Sequence, residues 1–367
     1  GDDSGEEYGN DYDISSKRQQ AIFPNFREQL IASGFDIESF LDDDGCPKQN
    51  SDVTKYLELL MNNRQTLILP TPKVTRRPIP LENPPNCNAT DYFNGPRETP
   101  AHLVMLLTFS YELDILEAQL YELSDVVDEF VVFEGMYTSR GALKPQIFPK
   151  AQERFASFLH KIKYYHQLPS EVGFVVRDKA RRGATFVNEN IHKTAYNRYV
   201  QEEEQAGRSL NNTLFVVAGI DEIPPAVGLQ RFKHCKTEKL WASFCSVTYE
   251  PDLEHIRHFP DKCGRLGKHY WPFPNILRRG ETLRNHSFHK NMYDEMPGFH
   301  IHARDPWAFL ARLLSTAEKG CFPGIQRGNV SLLLNPEVLY TTYMCSIREE
   351  TFKSYYWPFW RWAPKIV

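Results

Sequence analysis

The sequence predicts an α/β fold: a mixed, mostly parallel sheet flanked by helices and preceded by an N-terminal appendage. Two observations carry the prediction. From His102 onward, short continuous apolar runs of strand length recur, each followed by a helical pattern. Runs without polar alternation suit strands covered on both faces, and alternation at this spacing builds right-handed βαβ units on a parallel sheet. Residues 1–100 read differently, with acidic and Ser- or Asn-containing stretches and then prolines at Pro70, Pro72, Pro78, Pro80, Pro84 and Pro85. Proline fixes extended chain and opposes regular structure. Two regions are therefore expected, a stem or appendage over 1–100 packing on a main domain over 101–367.

Within the appendage, Phe26–Phe40 and Tyr56–Met61 suit short helices. In the main domain His102–Phe109 is the first strand. Tyr111–Leu123 is a helix, because Leu113, Leu116, Leu120 and Leu123 share one face, and Glu112 and Asp114 suit the positive first turn. Glu129–Glu134 is the second strand and Lys161–His166 the third. Between them Lys150–His160 reads as a helix with Phe155, Phe158 and Leu159 inward. Thr185–Glu204 follows as a longer helix using Phe186, Ile191, Ala195 and Tyr199, and Leu214–Gly219 is the fourth strand. Later strands are expected at Trp241–Val247, Phe273–Arg279 and Phe299–Ala303. Asp305-Pro306 is a fitting helix start and Gly320 a fitting stop. The aromatic tail Tyr355–Trp362 suits packing on the core or stacking on a sugar.

Composition narrows the class. A hydrophobic share of 41% and an aromatic share of 13% suit a folded chain, and a formal charge of −4 gives no reason to expect a nucleic-acid partner. The longest apolar runs, such as Leu103–Leu107, hold five residues, against the roughly 20 a spanning helix needs. Membrane attachment is expected only through a segment outside these residues. Four Asn-x-Ser/Thr sequons begin at Asn88, Asn211, Asn285 and Asn329, and seven cysteines are spread without a C-x-x-C pair. Disulfides and a secretory lumen are the favoured reading, and an odd cysteine count leaves one thiol free. Buried reduced cysteines in a cytosolic enzyme are the alternative.

In an open parallel sheet, ligands bind beyond the carboxyl ends of the strands, where the strand order reverses. The fourth strand runs out into Asp221-Glu222-Ile223-Pro224, which sets two carboxylates at that rim. Such acids can hold a divalent ion that neutralises a leaving diphosphate, or form an ordinary acidic junction.

The wider pattern resembles glycosyltransferase family 17. The stretch from Tyr111-Glu112-Leu113-Asp114 through Asp125-Val126-Val127-Asp128-Glu129-Phe130-Val131-Val132-Phe133-Glu134 looks like the family's opening. Thr138 and Gly141-Ala142-Leu143-Lys144-Pro145 are similar to its next loop. Asn188-Glu189-Asn190 to Asn197-Arg198, then Gly219-Ile220-Asp221-Glu222-Ile223-Pro224, and finally Gly298-Phe299-His300 match later motifs, so that the resemblance covers about residues 102–320. It implies a GT-A-like nucleotide-sugar-binding fold and an inverting transfer, with N-acetylglucosamine moving from UDP-GlcNAc to a glycan or glycoprotein acceptor in the Golgi lumen. The full-length protein would then be a type II membrane protein. It also implies Mn²⁺ or Mg²⁺ held by Asp221, with His300 as a second ligand, but Gly219 replaces the first Asp of the family's D-x-D, which puts the metal in doubt. Glu222, Asp252, Glu254 and Asp294 are candidate bases. Phe109, Ser110, Glu112, Glu134, Thr138, Lys144 and Asn197 are candidates for the nucleotide. Arg181 and Arg182, ahead of a helix N-terminus, are candidates for the diphosphate.

The alternative is a catalytically impaired relative that binds glycans or a partner. The absence of G-x-x-x-x-G-K-[ST] and G-x-S-x-G disfavours a phosphotransferase or hydrolase.

Overall fold

A computed structural model describes residues 26–36, 55–59, 81–88, 90–138, 143–167, 196–239, 241–249, 255–257, 270–271, 274–278, 292–301, 311 and 353–354. The N-terminal helix α1 is Phe26–Ala32, and residues 55–59 are also helical. Strand β1 (His102–Phe109) leads to α2 (Leu113–Leu123), then β2 (Glu129–Gly135) and β3 (Ile162–Gln167). Residues 196–205 form α3. β4 (Thr213–Gly219), β5 (Glu222–Ile223) and α4 (Ala226–His234) follow. The later strands are β6 (Trp241–Tyr249), β7 (His255–Arg257), β8 (Tyr270–Trp271), β9 (Asn275–Arg278), β10 (Met292–Ile301) and β11 (Lys353–Ser354).

These strands form one sheet in the order β11-β7-β6-β9-β4-β1-β2-β3, with β10 beside β5 and β6 and β8 beside β6. The long pairings β3–β2, β2–β1, β1–β4 and β6–β10 are parallel, whereas the shorter pairings are antiparallel. From β1 the chain steps outward to β2 and β3, then returns to place β4 on the other side of β1. The strand order therefore reverses between β1 and β4, and the register sets Thr108 beside Gly219 at that point.

Alternate residues of the central strands feed two cores. Leu103, Met105 and Leu107 of β1 and Val216 and Ala218 of β4 meet Leu116 and Leu120 of α2 and Leu229 and Phe232 of α4. Val104, Leu106, Val131, Phe133 and Val217 meet Tyr196 and Tyr199 of α3 on the opposite face. Helices thus flank both faces, and period-two burial on both sides explains why these strands read as unbroken apolar runs.

Residues 81–101 strap onto α4. Cys87 is disulfide-bonded to Cys235, Glu82 pairs with Arg231, and Arg97 Nε donates to the carbonyls of Phe232 and Cys235 at 3.3 and 3.0 Å. Leu30, Tyr56 and Leu57 are buried in the same core as α2 and α4. These residues of the N-terminal hundred thus share the core of the sheet.

One expected element differs. In place of an α-helix over Lys150–His160 there are two 3₁₀ helices, Phe148–Phe155 and Leu159–Lys161. The tighter winding keeps Phe155 and Phe158 inside but leaves Leu159 39% exposed. β10 begins well before the strand expected at Phe299. The helix expected after Pro306 and the aromatic tail lie outside the described residues, apart from the helical, buried Ala311.

Candidate active site

The site is built where β4 ends beside β1. After Gly219 the chain turns through Ile220 and Asp221 into β5, which runs antiparallel to β10 with Glu222 opposite His300 and Ile223 opposite Phe299. The Ile301 amide donates to the Asp221 carbonyl at 2.8 Å, which locks the turn against β10. Close approach of these strands depends on Gly298. A β-carbon there would lie 2.6 Å from the Ile223 carbonyl oxygen and 2.9 Å from Ser246 Oγ, so a side chain would push β10 away from β5 and β6.

This packing brings Asp221 and His300 together. His300 Nε2 lies 3.9 Å from Asp221 Oδ2, and each residue is only 6% exposed. The other ring nitrogen, Nδ1, is 3.1 Å from Thr248 Oγ1, on a threonine with no exposure at all. Thr248 is the register partner of His300 on β6. It fixes the ring so that Nε2 faces the carboxylate.

Glu222 is held by its neighbours. Its carboxylate accepts the Gly219 amide at 2.7 Å, and its carbonyl accepts Gln119 Nε2 of α2 at 3.1 Å. Gln119 is fully buried and its Oε1 has no hydrogen-bond partner. A β-carbon on Gly219 would meet Asp221 Oδ1 at 2.8 Å and Glu222 Oε2 at 3.4 Å. Both carboxylates therefore lean over the space that a side chain at 219 would need.

An oxygen from Asp221 and an imidazole nitrogen from His300 suit Mn²⁺ or Mg²⁺. Their 3.9 Å separation exceeds the roughly 3.0 Å between adjacent octahedral ligands at about 2.1 Å, so the two side chains would have to draw together to share one ion. Among the described residues no three His, Cys, Asp or Glu side chains converge on one point.

Other expected nucleotide contacts have a different task. Glu134 is fully buried, and its Oε1 accepts Lys144 Nζ at 2.7 Å and the Ile147 amide at 2.8 Å. Its Oε2 accepts the Phe148 amide at 3.1 Å and the Tyr164 hydroxyl at 3.0 Å. Burial and this carboxylate push the Tyr164 phenol far above its ordinary range. Lys144 Nζ also reaches the Ser110 carbonyl at 3.4 Å and lies 5.2 Å from the centre of the Tyr111 ring. Together Glu134 and Lys144 tie the loops after β1 and β2, so the expectation that they face a nucleotide is corrected. Both charges are neutralised inside the protein.

Phe109 is likewise a core residue, 1% exposed and edge-on to Phe148. Glu112 is buried at the start of α2 and accepts the Tyr111 amide at 2.9 Å, and Thr138 is 2% exposed. Ser110 and Asp294 are half-buried, and Asn197 is exposed on α3. Arg181, Arg182, Asp252 and Glu254 lie outside the described residues. Sequence reasoning missed Thr248 and Gln119, because neither stands in a motif. It also missed Tyr196, whose hydroxyl bonds Thr108 Oγ1 at the end of β1; being next to Asn197 was its only signal.

Residues 82–245 match the sequence model of Glycosyltransferase family 17. A stretch of 71 residues is 35% identical to Beta-1,4-mannosyl-glycoprotein 4-beta-N-acetylglucosaminyltransferase of Rattus norvegicus and of Homo sapiens, and 34% identical to that of Mus musculus. This stretch is 19% of the present chain and 13% of each relative's length. The family match takes in β1 to β4 and the Asp221–Glu222 turn and stops before Thr248 and His300. Over residues 82–245, a little under half of its length, the chain is therefore similar to glycosyltransferase family 17.

Proposed function

We propose that the chain is an inverting glycosyltransferase that moves N-acetylglucosamine from UDP-GlcNAc onto a glycan of a glycoprotein in the Golgi lumen. The observation that carries the reading is the buried Asp221–His300 pair at the strand-order reversal, held by Thr248. Nucleotide ligands of α/β sheets sit at such a point. The family match over 82–245 and the names of the relatives support the transfer chemistry and the sugar. All three described cysteines, Cys87, Cys235 and Cys245, are disulfide-bonded, which supports an oxidising lumen.

Asp221 and His300 would hold Mn²⁺ or Mg²⁺, which when bound neutralises charge developing on the leaving diphosphate. In the transfer, the acceptor oxygen bonds to the anomeric carbon as the bond from that carbon to the diphosphate breaks. The hydroxyl proton passes to a carboxylate. Glu222 is the described residue best placed to receive it, because it stands at the rim next to Asp221 with its carboxylate positioned by the Gly219 amide.

Calorimetry with UDP and UDP-GlcNAc, with and without Mn²⁺, tests the reading. The expected result is binding that Mn²⁺ strengthens and Asp221→Asn weakens, together with sugar transfer to a glycan acceptor. Absence of nucleotide binding under every metal condition overturns it. Nucleotide binding without transfer assigns the chain to the impaired relatives, a reading that the missing carboxylate at Gly219 favours.

A further inference from the structure

We infer that Asn88 and Asn211 each carry an N-linked oligosaccharide, and that both glycans stand at the end of the sheet opposite the candidate active site. Each begins an Asn-x-Thr sequon without proline, Asn88-Ala89-Thr90 and Asn211-Asn212-Thr213. A sequon is modified only in a secretory compartment, and that premise has its own support in the disulfide-bonded Cys87, Cys235 and Cys245.

The two asparagines are presented outward by ordered turns. Asn88 is exposed. It follows the disulfide-bonded Cys87, and its amide donates to Asn86 Oδ1 at 3.1 Å, so the backbone is fixed while the side chain faces solvent. Asn211 is exposed at the tip of the turn between the buried Leu210 and Thr213, which is closed by the Thr213 amide on the Leu210 carbonyl at 3.1 Å. Neighbouring Asn212 braces the turn, with its Nδ2 on the Pro100 carbonyl at 2.9 Å.

Both turns sit at the amino end of β1. The His102 amide donates to Asn212 O, and the Ala101 amide donates to Lys233 O, two residues before Cys235. Asp221 and His300 lie at the other end, about 20 Å along β4 at the usual strand rise. A solvated oligosaccharide at either turn leaves the carboxyl-end rim open.

The modification forms a bond from the asparagine Nδ2 to the anomeric carbon of the oligosaccharide. The bond from that carbon to a lipid-linked diphosphate breaks, and the amide proton leaves with the diphosphate. At Asn211 the step must precede docking of β4, because Thr213 becomes 5% exposed once it pairs with His102.

The test is peptide mass spectrometry on the full chain secreted from animal cells behind a cleavable leader, before and after enzymatic glycan release. The expected result is release-dependent conversion of Asn88 and Asn211 to Asp, alongside a peptide linking Cys87 to Cys235. That linked peptide with an unmodified asparagine overturns the assignment of that residue. Reduced Cys87 and Cys235 overturn the compartment on which both assignments rest. Sugar transfer by the chain itself is read separately, so failure of one conclusion is distinguishable from failure of the other.

Discussion

The Gly219 amide donates to the Glu222 carboxylate at 2.7 Å, so the strand end that lacks an acidic side chain is capped by an acid three residues later. This contact and the neighbouring Asp221 carboxylate fill the space above Gly219. Gly219→Ala should therefore displace Asp221 rather than fit beside it. Turnover is expected to fall by about 10-fold to 100-fold, because misplacing a reacting group by about 1 Å has effects of that size. Steady-state transfer assays with a parallel thermal melt check this; unchanged kcat and KM would show that the turn tolerates a side chain.

Gln119 should separate function from stability. Its amide is buried with Oε1 unpartnered and holds the Glu222 carbonyl. An unmet buried acceptor costs about 1–3 kcal/mol, so Gln119→Met should leave unfolding free energy within about 1 kcal/mol of the parent. Transfer should fall at least several-fold as the Asp221–Glu222 turn loses its brace. Urea unfolding measured beside kcat is the check.

Lys144→Met should be severely destabilising. It strands Glu134, which is fully buried, and removing one partner of such a pair costs roughly 3–5 kcal/mol. Adding Glu134→Leu should not restore the parent stability, because the Ile147 and Phe148 amides would then lose their acceptor. A double-mutant cycle by urea denaturation measures both.

Acid should loosen α4 in two steps. Burial, then the adjacent Lys233, holds the His234 imidazole below its ordinary value of 6.5, only partly opposed by Asp128. The unfolded chain therefore takes up a proton more readily than the folded one. This contribution is full above pH 6.5 and is lost as pH falls below it. Glu82 is held below its usual 4.5 chiefly by the hydrogen bond from Arg231, so its contribution is present above that pH and is lost as pH falls further. Urea midpoints at successive pH values should show both slopes, with His234→Gln flattening the first and Glu82→Gln the second.

The central sheet was legible in the sequence because its strands are buried on both faces. Leu103–Leu107 and Leu214–Ala218 offer no helical or alternating pattern, and their spacing left room for helices between them. The rim was legible for the same reason: once β4 is found, Asp221 and Glu222 must follow it. Less legible was anything set by distant pairing. Glu134 reads as a ligand because charge at a strand end usually faces a site, but Lys144 and Tyr164 consume it. Thr248 became important only through its register with His300, a relationship between β6 and β10 that no local pattern encodes. Leu159 turned outward because a 3₁₀ winding replaced the α-helical one.

The Cys87–Cys235 bond joins residues 148 apart in sequence and encloses β1 to β4 within a single covalent ring. A single proteolytic cut between these two cysteines opens the ring without releasing either piece. The nicked protein should migrate as one band under non-reducing electrophoresis and as two after reduction. Proteolytic damage inside this region would therefore be hidden from any assay of size performed without a thiol.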